Sequence, residues 1–163
     1  MVASEWPEAV QRVAGFLREA GAEARLEEFP SGTPTAKDAA EAVGCELSEI
    51  VKSLVFSCDG RTVVVMVPGD RRADAAKVAR EVGCGTARIA TADEVERATG
   101  FEPGAVAPFP LPRVDRVLID RTLLARDLVW VGAGSHRHLA GLVPAELVRL
   151  ARATPMDAVG SGA

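Results

Sequence analysis

Val51-Lys52-Ser53-Leu54-Val55-Phe56-Ser57-Cys58-Asp59-Gly60-Arg61-Thr62-Val63-Val64-Val65-Met66-Val67 is the stretch on which the fold turns. Residues 53–58 and 62–67 are rich in the β-branched and aromatic side chains that suit a pleated surface. Asp59-Gly60 between them is the dipeptide that most readily supplies a tight turn matching strand twist. The segment predicts an antiparallel hairpin.

On its N-terminal side, Thr35 is placed to cap a helix that runs to Val43, with Asp38 three residues on and Gly44 as the stop. Earlier, Val10, Val13, Ala14 and Leu17 recur at helical spacing and predict an amphipathic helix over 7–20. Residues 24–29 read as a strand and 30–34 as a Pro/Gly loop. Ser48-Glu49-Ile50 reads as a turn or helical entry to the hairpin.

On the C-terminal side, 73–82 reads as a helix and 87–90 as a short strand. Thr91, with Glu94 three residues later, opens a helix that Gly100 closes. Residues 101–112 hold four prolines and one glycine, a constrained loop. Strands are expected at 114–119 and 128–131, with a turn or short helix at 120–127 between them. A glycine-containing turn follows at 132–138, and a last helix at 144–151. No repeat, low-complexity tract or linker breaks the chain. Hairpins and crossing helices interleave, so the expected class is α/β of the α+β type, with a mixed, largely antiparallel sheet among helices. One domain is expected over 1–153, and the small, Gly-rich stretch 154–163 is expected to fray.

Composition narrows the function. Hydrophobic residues make up 48% and charged residues 26% of 163, the balance of a globular domain. No apolar run approaches the roughly 18 residues of a membrane helix, and the first seven residues do not read as a secretory signal. Cys45, Cys58 and Cys84 are odd in number and lack C-x-x-C spacing, which argues against a disulfide framework and a zinc site. The expected compartment is the reducing cytoplasm. The net charge of −4 does not suggest a strongly basic nucleic-acid surface.

Three segments carry candidate chemistry. Lys37, Lys52 and Lys77 are the only lysines, and Lys52 stands among apolar neighbours. It either points outward from a strand or places a cation at the mouth of an apolar pocket, to hold a phosphate or a developing oxyanion, or to act as a general base if desolvation lowers its pKa. In Gly104-Ala105-Val106-Ala107-Pro108-Phe109, Gly104 lets a ligand approach the main chain, while Val106, Pro108 and Phe109 offer an apolar wall. The alternative is a plain structural connection. In Gly134-Ser135-His136-Arg137-His138, the turn either presents N–H groups to an anion or is a solvated hairpin. His136 and His138 would share a face if extended, but no third metal ligand follows at a suitable spacing. A Ser135–His136 nucleophile pair is disfavoured, because neighbours in a strand point apart.

The order of these segments resembles a known family. Val51-Lys52-Ser53-Leu54 is followed by the Gly/Pro loop, by Val117-Leu118-Ile119-Asp120, by the glycine turn, and by Leu142-Val143-Pro144-Ala145-Glu146-Leu147. Over most of the chain this is similar to the YbaK/ProX family, the freestanding relatives of the prolyl-tRNA synthetase editing domain. The resemblance implies a mixed, barrel-like sheet surrounded by helices. It implies an aminoacyl-tRNA deacylase, hydrolysing the ester of mischarged tRNA in trans, without metal or cofactor. It implies Lys52 as the functional lysine, with Ser53 beside it. Gly104, Ala105, Val106, Pro108, Phe109, Gly134, Ser135 and His136 become substrate contacts. The implied partners are the 3′ end of a mischarged aminoacyl-tRNA and an aminoacyl-tRNA synthetase, with no membrane. The alternative is a non-catalytic aminoacyl-tRNA or nucleotide binding module of the same fold.

Overall fold

The computed structural model describes residues 6–160. The hairpin forms as the sequence predicts: β2 (Val51–Cys58) and β3 (Arg61–Pro68) pair antiparallel from Val51↔Pro68 to Cys58↔Arg61. Asp59 and Gly60 both take positive φ, 52° and 86°, the two-residue turn whose twist matches its strands. β3 is the centre of the molecule, with every residue from 63 to 67 fully buried. Its side chains alternate: Val64 and Met66 enter one apolar cluster, and Val63, Val65 and Val67 enter another on the opposite face.

Around the hairpin lie α1 (Glu8–Glu19), β1 (Ala24–Glu28), α2 (Ala36–Val43), α3 (Ala75–Val82), β4 (Ala87–Ile89), α4 (Ala92–Thr99), β5 (Arg116–Asp120), β6 (Val129–Gly132), β7 (His138–Leu142), α5 (Pro144–Ala151) and β8 (Thr154–Met156). Short 3₁₀ turns occupy Leu47–Glu49 and Arg121–Ala125. Thr35 caps α2 by accepting from the Asp38 N–H, and Thr91 and Glu94 form the expected reciprocal cap on α4. No helix among the described residues is long and apolar enough to cross a membrane.

The strands form two sheets, in the orders β4-β2-β3-β5-β8 and β1-β7-β6. β5 runs parallel to β3 and to β8; the other pairings are antiparallel, so the fold is mixed α+β. The barrel-like sheet is not found. The larger sheet ends on two three-residue strands, β4 and β8, and among the described residues its link to the smaller one is the Ile50↔Trp130 bridge just before β2. Such short edges cannot carry the staggered pairing that closes a barrel.

Two further expectations are overturned. Cys58 and Cys84 form a disulfide, leaving Cys45 free. The bond follows from topology: β4 pairs with the end of β2, with Cys58 opposite Ala87, and so brings the α3–β4 connection to Cys58. Residues 154–160 do not fray. Thr154–Met156 join the sheet beside β5, and Ala158 and Val159 are buried beneath α3. Pairing with a strand distant in sequence supplies the order that local patterning lacks. Residues 161–163 lie outside the described residues.

Candidate functional site

β4 pairs with β2 only at residues 56–58, so that edge of β2 carries no ladder over 51–54. Along that edge lies a cavity of about 240 Å³. Ile50, Val51, Leu54, Val106 and Leu139 line it with apolar surface, the loop 33–36 forms one rim, and Lys52, Ser53 and Gly104 supply the polar and close-approach positions.

Lys52 sits half-buried on β2 opposite Val67. Its Nζ donates to the Arg71 carbonyl at 2.6 Å. Burial lowers its pKa from the usual lysine value, the charge of Arg72 adds to the lowering, and Asp70 opposes it. An ammonium has three N–H groups, so two remain for a ligand. Ser53 Oγ is buried and meets no partner among the described residues. A buried hydroxyl left unpaired is exceptional, and this one belongs to a residue that lines the cavity.

The expected apolar wall divides. Val106 faces the cavity, and Ala105 is buried beside it in the chain. Phe109 instead is 1% exposed and stacks on Phe16 of α1, with ring centroids 5.4 Å apart. Pro108 lines a separate groove with Phe16. The proline-rich loop turns these two residues toward the helix, where Phe109 fills core.

The glycine turn lies beside the cavity rather than in it. Gly134, Ser135 and His136 border a broader depression of about 730 Å³ with Arg12, Glu102 and His138. Gly134 has φ 103°, and a Cβ there would lie 2.9 Å from the Ala9 backbone, so the turn rests directly on α1. The His136 carbonyl accepts from Thr33 N at 2.6 Å and Thr33 Oγ1 at 3.2 Å, which ties the turn to the cavity rim. The exposed His136 ring approaches Gly104, where a Cβ would lie 3.2 Å from its Cε1. Its Nε2 stands 3.9 Å from Glu102 Oε2. His136 therefore joins the two glycine segments that the sequence placed together.

His138 carries more structure than the sequence suggested. It does not share a face with His136: His136 is exposed in the turn, and His138 is buried at the start of β7. Ser135 Oγ accepts from Arg137 N at 3.0 Å and lies 2.6 Å from His138 Nδ1. The other ring nitrogen, Nε2, stands 3.6 Å from Glu28 Oε2. Trp6 packs edge-on against the imidazole at 5.2 Å. Burial lowers the His138 pKa, Glu28 opposes this, and Arg137 adds to it. Ser135 and His138 staple the turn; the Ser-x-x-His spacing was the available signal. No group of three His, Cys, Asp or Glu side chains among the described residues is placed to hold a metal ion.

A small, partly open cavity beside β2, with one lysine in its lining and glycine loops beside it, is the arrangement to compare with known proteins. The sequence model of the aminoacyl-tRNA editing domain matches residues 30–150. The chain belongs to the aminoacyl-tRNA editing domain family. The match spans the cavity, the Gly104 loop and the glycine turn. An uncharacterized Bacillus subtilis protein, YwhH, is 36% identical over 121 residues, covering 74% of this chain and 76% of its own. The proline–tRNA ligase of Nitratidesulfovibrio vulgaris is 34% identical over 111 residues, 68% of this chain but 19% of the ligase. This editing domain thus spans about a fifth of that relative. Among solved structures, a proposed trans-editing enzyme for prolyl-tRNA synthetase superposes with a TM-score of 0.90 at 36% identity, covering 96% of this chain and all of that one.

Proposed function

We propose that this editing domain is a trans-acting deacylase that hydrolyses the ester of mischarged tRNA, with the cavity along β2 holding the aminoacyl group. The observation that carries the reading is one small, largely apolar cavity lined by two successive residues of β2, Lys52 and a Ser53 whose hydroxyl has no partner among the described residues. An aminoacyl ester is already activated, so positioning and charge stabilisation do most of what is needed. The Lys52 ammonium, held by the Arg71 carbonyl, offers its two remaining N–H groups to a backbone phosphate or to the oxyanion formed as water attacks. Ser53 Oγ supplies a hydrogen bond to the aminoacyl group. Gly104 lets the terminal adenosine lie close to the main chain, and the exposed His136 and the turn at Gly134 and Ser135 border its path. Val106 limits the side chain that fits, whereas Pro108 and Phe109 act only by shaping the loop. No metal or cofactor enters the scheme.

The named relatives favour a tRNA mischarged by prolyl-tRNA synthetase as substrate, and that synthetase as partner. With a net charge of −4, affinity for the tRNA body is expected to be modest and local.

One observation favours a binding module instead. No carboxylate or histidine is among the residues that line the cavity. In the deacylase reading, a hydroxyl or amino group of the substrate takes the base's part. A panel of mischarged tRNAs separates the two. The deacylase reading predicts release of small aliphatic amino acids and protection of bulky ones. Tight binding of the same tRNAs with no release selects the binding module.

A further inference from the structure

Lys52 is held by a carbonyl, and that carbonyl is itself held from far along the chain. Arg71 lies in the short turn after β3. Within the turn, Arg71 N donates to the Pro68 carbonyl at 3.0 Å. The remaining bonds come from residues 157–160. Arg71 Nη2 donates to the Gly160 carbonyl at 2.8 Å, and Gly160 N returns to the Arg72 carbonyl at 3.0 Å. Asp74 N donates to the Ala158 carbonyl at 2.8 Å, and Ala73 and Val159 form an antiparallel bridge.

This strap is anchored in turn. Ala158 N donates to Oδ1 of the fully buried Asp120 at 2.8 Å. Lys77 Nζ donates to Asp157 Oδ2 and to the Val159 carbonyl, each at 2.8 Å. The Ala158 and Val159 side chains sit in the cluster that holds Val67 and Val78. A continuous path of hydrogen bonds therefore runs from the α3 side of the sheet, through residues 157–160 and Arg71, to the Lys52 ammonium.

We propose that Arg71 is a positioning residue for Lys52, and that residues 157–160 are the strap that fixes it. Lysine is a point charge on four rotatable bonds, and its direction is set only by what it touches. The Arg71 carbonyl takes one N–H and so aims the other two. The strap fixes that carbonyl through the Arg71 guanidinium and the Arg72 carbonyl. This role rests on the reading of Lys52 as the electrostatic group of the cavity.

Having only three lysines makes the test direct. In the ¹⁵N-labelled protein, a Lys52 ammonium held at 2.6 Å and half-buried exchanges slowly and gives its own ¹H–¹⁵N signal, identified by its loss in Lys52→Ala. Arg71→Ala keeps the carbonyl and removes the guanidinium. It is expected to speed exchange at Lys52 until the signal broadens away, and to lower kcat for deacylation about tenfold or more with a smaller change in KM. Arg71→Lys, which can still donate to Gly160, is expected to restore most of both. If Arg71→Ala does not fold, Lys77→Ala, which removes two anchors of the strap, takes its place with the same expected readings. An unchanged Lys52 exchange rate in the folded variant overturns the proposal whatever the activity. A Lys52→Ala protein with parental activity overturns the chemical role of Lys52, while the exchange result still decides whether the strap positions it.

Discussion

Gly134→Ala tests whether the glycine turn is built on direct contact with α1. Two costs add at this position. With φ at 103°, an L side chain is strained, by about 1–2 kcal/mol. The new Cβ would also lie 2.9 Å from the carbon and oxygen of Ala9 and 3.0 Å from Val10 N. These are backbone atoms of the first turn of α1, and displacing packed backbone costs roughly 1–3 kcal/mol. The sum of about 3 kcal/mol corresponds to a fall in Tm of roughly 10 °C for a domain of this size. Gly60→Ala is the matched control, because Gly60 has φ 86° with nothing within 4 Å of the added atom. It should lose about 1 kcal/mol and about 3 °C. Urea denaturation and thermal melts of both variants measure the difference. The first variant should also weaken the Thr33–His136 ties and slow deacylation, and the second should not. A Gly134→Ala protein no less stable than Gly60→Ala would refute the close approach.

Three further outcomes follow from the structure. Reducing Cys58–Cys84 in a Cys45→Ser background opens a loop across a separation of 26 residues, so stability should fall by about 3.5 kcal/mol and Tm by about 10 °C; an unchanged melt means that the bond does not form. His138 has a folded pKa below its unfolded value, so its contribution to stability is full above about pH 6.5 and is lost as pH falls through the folded pKa. His138→Gln should flatten that part of a stability–pH curve, and an identical curve would remove the buried imidazole as its cause. Val106→Ala widens the cavity and should admit larger aminoacyl groups, shifting relative release rates by about 1–3 kcal/mol for each added methylene; unchanged selectivity would place the side-chain pocket elsewhere.

The features legible in the sequence were those that short-range chemistry dictates. The Asp59-Gly60 turn, the alternating 62–67 strand and the caps at Thr35 and Thr91 all appear where local pattern placed them. What escaped depends on neighbours distant in sequence. β8 is three residues long and gains order only by lying beside β5. Cys58 and Cys84 meet because β4 returns to β2, which no cysteine spacing reveals. β7 mixes His138, Ala140 and Gly141 with leucines and shows no clean alternation, yet it is the centre of the smaller sheet. At the site, Lys52, Ser53, Gly104 and Val106 come together as read, and His136 reaches Gly104. Phe109 does not join them, because a loop sequence does not say which way its prolines turn it. Arg71 was invisible, since its link to Lys52 runs through a main-chain carbonyl.

The central claim is that the Lys52 charge acts on the ester at the β2 cavity. Its most direct test is the single-turnover rate of amino-acid release from a mischarged tRNA by the parent, Lys52→Ala and Lys52→Arg proteins. Loss of one group that stabilises developing charge should slow Lys52→Ala by roughly 10²–10³-fold, with melting behaviour retained and with partial activity in Lys52→Arg. Release by Lys52→Ala at the parental rate would contradict the account.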